Sequence, residues 1–96
     1  MNRDDILAVL YKFKRDYAEQ YSILEIGIFG SIARDEASED SDVDIVFETN
    51  EPNLFRTASM KAELENLQAR RVDVVRLRKR MNPHLKQRIL REARFV

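Results

Sequence analysis

Residues 42–48, DVDIVFE, alternate with a period of two. In an extended strand, Val43, Ile45 and Phe47 fall on one face, and Asp42, Asp44 and Val46 fall on the other. The apolar face needs a packed layer over it. The carboxylates behind it need solvent or a counter-charge. A chain with such a segment is best served by a sheet that rests on helices through one face only.

The flanking segments supply the rest of that design. Residues 23–29, ILEIGIF, and 71–77, RVDVVRL, read as two further strands, rich in branched side chains. Leu24, Ile26 and Ile28 form the apolar face of the first, and Val72 and Val74 that of the last. A helix is predicted over 2–20, where Ile6, Val9, Leu10, Phe13 and Tyr17 make one stripe behind an Asn2 cap. Gly30-Ser31 breaks the first strand, and a short helix over 32–37 would take Ser31 as its cap. Residues 38–41 are a polar turn. Pro52-Asn53 opens a helix to about Ala69, with Met60, Leu64 and Leu67 inward. Asn82-Pro83 starts a last helix that ends near Arg94 and carries Leu85, Ile89 and Ala93 on one side. The order α-β-(α)-β-α-β-α predicts an α/β sandwich, a small sheet with helices packed mainly on one face.

Ninety-six residues make one small domain, 1–96, with no room for a second. No run nears the roughly 18 apolar residues of a membrane span. The N-terminus, acidic early and helical in pattern, does not read as a signal peptide. The absence of cysteine excludes a disulfide framework, a zinc-thiolate site and a thiol nucleophile, and makes the cytoplasm the expected compartment. The net charge is zero, yet residues 1–68 carry −8 and residues 69–96 carry +8. Acid is densest in 35–51, base in 70–80. Such a pattern reads either as two solvated surfaces or as a cation-collecting pocket beside a surface for anions or an acidic partner.

If the apolar strand faces meet the helices, Asp42, Asp44 and Asp73 project together from the reverse face, with Gly27 among them. Like charges at that range repel. A divalent metal is the simplest neutraliser, and an oxygen-only ligand set suits Mg²⁺ or Mn²⁺ rather than zinc. Magnesium is usually held by carboxylates together with substrate phosphates, which implies a nucleotide. Gly30-Ser31 stands where a strand gives way to a helix, a place where backbone N–H groups attract anions and glycine allows close approach. Each piece alone has a plainer explanation. A Gly-Ser pair is more often a turn and cap, Asp-x-Asp is more often a turn acid pair, and Asp73 could be matched by Arg71 or Arg76. Their conjunction is what points to chemistry.

Gly30-Ser31, ten residues, then Asp42-Val43-Asp44 resembles the signature of DNA polymerase β-like nucleotidyltransferases. Over nearly its whole length the chain is similar to the minimal nucleotidyltransferase (MNT) family. GSIARDEASEDSDVDIVFE carries the motif, RRVDVVRL the third acid, and NPHLKQRILREARFV the closing helix and tail. The resemblance implies the nucleotidyltransferase fold. It implies that Asp42 and Asp44 are paired metal ligands and that Asp73 is a third carboxylate, helping to activate the attacking hydroxyl. It makes Gly30 and Ser31 the triphosphate contacts. Arg34 would touch phosphate or brace the acidic loop, with a salt bridge near Asp35 or Glu36 as the plain alternative. It further implies ATP as substrate, two Mg²⁺ ions with Mn²⁺ as the alternative, and a HEPN-type ribonuclease toxin as partner, adenylylated on a tyrosine so that the protein acts as antitoxin.

A different class stays open: a non-catalytic module that neutralises a partner by masking it, docking through 70–80 and the last helix. A small-molecule nucleotidyltransferase ranks lower, since no acceptor domain fits in this length. His84, the one histidine, reads as a surface residue. Tyr11, Tyr17 and Tyr21 read as core edge. Arg88, Arg91 and Arg94 read as a solvated or partner-facing side. Direct nucleic-acid binding is not expected, for the basic third lacks interleaved aromatics. Phe29, Val46, Val75 and Leu77 are left on the carboxylate face and need cover from a nucleotide base, a C-terminal segment or a second chain. Oligomeric state is open.

Overall fold

Asn2 and Asp5 start the first helix by capping each other. The Asn2 side chain accepts the Asp5 N–H at 2.9 Å and the Asp5 carboxylate accepts the Asn2 N–H at 3.0 Å. The computed structural model, which describes residues 2–96, runs α1 (Arg3–Tyr17), β1 (Glu25–Phe29), α2 (Gly30–Ala33), β2 (Val43–Glu48), α3 (Leu54–Gln68), β3 (Val72–Arg76), α4 (Pro83–Glu92) and β4 (Arg94–Phe95). α1 stops at Tyr17, short of the expected residue 20, and the Phe13 ring stacks on Tyr17 at 5.0 Å and on Tyr21 at 5.8 Å. Tyr17 and Tyr21 thus sit at the core edge as expected, whereas Tyr11 is exposed.

The four strands lie in the order β3-β2-β1-β4. β1 pairs antiparallel with β2 and with β4, and β2 pairs parallel with β3 across the α3 crossover. Ile26, Ile28, Val43, Ile45, Phe47 and Val72 pack against Ile6, Leu10 and Phe13 of α1 and Met60 and Leu64 of α3. The reverse face is covered by the end of the chain. Ile89 of α4 is fully buried on Phe29 and Val46, flanked by Val75, Leu77, Met81, Leu85 and Ala93. Of the three covers open for those residues, it is the C-terminal segment that supplies it.

Four expectations need correction. Leu24 lies outside β1 and is 52% exposed, because the strand begins at Glu25. Leu67 is 47% exposed, and Gln68 is buried instead in the last turn of α3. The short helix is Gly30–Ala33 rather than 32–37, so Ser31 lies inside it and caps nothing; Phe29 precedes it without a side-chain cap. The chain has a fourth strand, and the last helix ends at Glu92, two residues early, so that Arg94 and Phe95 can join it. A two-residue strand carries no hydrophobic period to read. Gly27 records its presence: a Cβ there would overlap the Arg94 carbonyl. Among the described residues no helix is long and apolar enough to cross a membrane.

Candidate active site

The parallel pairing of β2 with β3 sets the site. Asp44 is the register partner of Asp73, and Phe29 of β1 is the partner of Asp44 on its other side. Partners in register point the same way, so one row across three strands reads Phe29, Asp44, Asp73 on the face that meets α4. Asp42 stands one residue before β2, and its carboxylate lies 3.5 Å from Arg71 Nε. The Asp44 carboxyl is pushed above the usual carboxylate range, first by burial and then by the charges of Asp73 and Asp42; Arg88 and Arg34 pull it back only in part. The three acids therefore share one electrostatic neighbourhood.

Among the described residues, no three acidic or imidazole groups stand as a preformed metal cage. The donor set still fits a hard cation that takes one or two carboxylates and completes its shell with phosphate oxygens and water. Asp44 and Asp73 face each other in register, and Asp44 carries a charge that burial and like neighbours disfavour.

Gly30 joins this acid row to the turn after β1. Its φ is +74°, in the left-handed region, and a Cβ would overlap the Asp44 carboxylate. Only glycine brings the backbone this close to the acid. The Ser31 hydroxyl makes no hydrogen bond among the described residues, and its carbonyl accepts the Glu36 N–H at 2.9 Å. Arg34 makes the salt bridge to Glu36 given as its plain alternative, and a second one across to α4. Its Nε meets Glu36 at 3.2 Å, and its Nη1 points back to the Gly30 turn, where it meets Glu92 Oε2 at 2.9 Å. That same Glu92 oxygen accepts the Gly30 N–H at 3.3 Å.

Beside the acid row lies a cleft of about 630 Å³ between α3 and α4. Phe29, Val75 and Leu85 give it apolar walls, Asp44 and Asp73 line its acidic side, and Lys61 and Arg88 bring cations. The size suits a small ligand with an apolar body and a charged end. Glu92, Arg88 and Lys61 are the residues that sequence reasoning missed. Arg88 and Glu92 follow Leu85 by three and seven positions, at the edge of the buried stripe of α4, where Arg88 is exposed and Glu92 half-buried. That spacing was a usable signal. Lys61 had none until the rotation of α3 was known.

Comparison with known proteins now decides the family. The model of the nucleotidyltransferase domain matches residues 10–96. The chain belongs to that family. It is 36% identical over 94 residues to the protein adenylyltransferase MntA of Thermococcus cleftensis, covering 97% of this chain and 94% of the relative. It is 32% identical over 93 residues to a candidate protein adenylyltransferase of Methanocaldococcus jannaschii, covering 96% and 95%. Among solved structures, a minimal nucleotidyltransferase superposes with a TM-score of 0.79 at 34% identity, over 97% of this chain and 94% of that one. A Shewanella oneidensis complex of tri-AMPylated HEPN toxin with MNT antitoxin superposes at 0.72 with 19% identity, over 97% and 70%, which speaks to the fold alone.

The row Phe29–Asp44–Asp73 with the Gly30 turn beside it brings together an apolar surface, two carboxylates and a backbone N–H that donates to a carboxylate oxygen.

Proposed function

We propose that the chain transfers AMP from ATP to a protein hydroxyl in a reaction that depends on a divalent metal. The observation that carries this reading is the pairing of Asp44 with Asp73 next to Gly30. The similarity to protein adenylyltransferases over almost the full length supports the choice of donor and product.

The residues divide the work. Phe29, Val75 and Leu85 would take the base against the apolar wall of the cleft. The Gly30 N–H, the Ser31 hydroxyl and Arg34 Nη1 would bind the phosphates. Asp42, Asp44 and Asp73 would hold Mg²⁺, one ion or two, with Mn²⁺ as a substitute. When bound, the cation neutralises phosphate charge and favours loss of the acceptor proton. The acceptor oxygen attacks the α-phosphorus, the bond to pyrophosphate breaks, and the proton leaves to Asp73 or to water through it. Pyrophosphate departs past Gly30 and Arg34. The rate advantage is positioning and charge neutralisation.

We further propose that the acceptor is a tyrosine of a HEPN-type toxin and that its modification is how the chain acts as antitoxin in the cytoplasm. Support comes from the structural neighbour that is a tri-AMPylated HEPN toxin in complex with an MNT antitoxin, and from a second that is the toxin–antitoxin pair MntA–HpeT. A further neighbour is a toxin–antitoxin structure with AMP-PNP. The test mixes the chain with α-labelled ATP, Mg²⁺ and a purified HEPN partner. Label should pass to the partner and vanish with Asp44→Ala. A partner neutralised equally well by Asp44→Ala, without label, would make the protein a masking module instead.

A further inference from the structure

Glu92 is the last residue of α4 and lies far from the motif in sequence. One of its oxygens, Oε2, accepts both the Gly30 N–H at 3.3 Å and Arg34 Nη1 at 2.9 Å. Its side chain is only 12% exposed. A carboxylate oxygen thus sits on the two donors that the nucleotide reading assigns to phosphate. Two anions cannot occupy one pair of donors, because each would have to be desolvated against the other's charge.

We propose that Glu92 is an internal stand-in for a phosphate oxygen. It keeps Gly30 and Arg34 arranged in the nucleotide-free protein and exchanges places with the triphosphate on binding. The inference rests on the nucleotide site proposed above and adds a residue that positions its donors and sets its affinity.

The surroundings are built for an exchange of side chains that leaves the backbone alone. Glu36 holds the Nε edge of Arg34 at 3.2 Å, so the guanidinium stays aimed when Nη1 changes partner. The backbone of Glu92 is pinned on both sides. The Ala93 N–H donates to Ile89 at 2.8 Å, and the Val96 N–H donates to Ile26 at 3.0 Å. Arg94 pairs with Ile28, and Lys14 Nζ meets the Val96 carbonyl at 2.8 Å. The carboxylate can leave without unzipping β4.

The test is calorimetric titration of the full chain with Mg²⁺–ATP, comparing the native protein with Glu92→Gln and Glu92→Ala. Removing the resident charge should tighten Mg²⁺–ATP binding about tenfold in both variants, the scale of one charge-assisted hydrogen bond no longer displaced. Adenosine, which has no phosphate, should gain nothing. In an Arg34→Ala background the gain should shrink to less than about twofold, because the shared donor is gone. Glu92→Gln keeps the size and the acceptor, so it guards against a folding defect in Glu92→Ala. Unchanged or weaker Mg²⁺–ATP binding in the glutamine variant, with native binding intact, overturns the exchange alone. Absence of Mg²⁺–ATP binding in the native chain and in both variants overturns the nucleotide site and the exchange with it.

Discussion

Asp44 concentrates the conflict of this molecule in one side chain. Burial, Asp73 and Asp42 all disfavour its charge, and a bound cation would reverse that balance. Asp44→Asn should therefore lower transfer on the order of a thousandfold while raising the melting temperature of the metal-free protein at pH 7 by a few degrees. Thermal melts beside a transfer assay check both. The pH dependence follows from the same shift. The folded state holds the Asp44 proton more tightly than the unfolded chain does. The stability this adds is complete below the ordinary carboxylate pKa of about 4, and is lost as pH rises through the higher folded-state value. The stability difference between Asp44→Asn and the native protein should accordingly grow from acid to neutral pH; a difference constant with pH would contradict it. Gly30→Ala should cost about 1–3 kcal/mol in urea melts, for its φ lies in the left-handed region and the new methyl meets Asp44.

The α4–β4 hairpin decides whether the acid face is a site or an open sheet. Ile89 plugs Phe29 and Val46, and Ile89→Ala should destabilise by about 2–5 kcal/mol. Gly27 permits the tail to lie across β1. Gly27→Ala should free β4, read as faster amide exchange at Val96, whose N–H otherwise donates to Ile26. The longer elements were legible in the sequence, since α1, α4 and the three main strands each carry a clear period and α3 is announced by its Asn53 cap. Residues 94–95 were not, because two residues hold no period and their pairing rests on a glycine 67 positions earlier. Leu67 was misplaced because the buried row of α3 continues at intervals of four, Met60, Leu64 and Gln68, which puts Gln68 rather than Leu67 against the core. Arg88 read as part of a solvated helix side and is exposed, yet the docking of α4 on the sheet brings it beside the acid row.

Across the whole molecule, parallel pairing of β2 and β3 puts Asp42, Asp44 and Asp73 at one end of the sheet, while β3 leads away into the basic run 76–80. The fold splits the basic segment 70–80: Arg70 and Arg71 lie against the acidic loop at Ser41 and Asp42, while 76–80 leaves from the far end of β3. The acid motif was legible because it is local. The row Phe29–Asp44–Asp73 was only partly so, since it joins three strands whose order no single segment encodes. Two acids facing each other beside the turn proposed to take phosphate are the heart of the account, and titration of Mn²⁺ followed by electron paramagnetic resonance, with a non-hydrolysable ATP analogue present, tests them most directly. The account predicts saturable Mn²⁺ uptake by the native chain and its loss, by tenfold or more in affinity, in both Asp44→Asn and Asp73→Asn. Equal uptake by the native chain and the Asp73→Asn variant would contradict it.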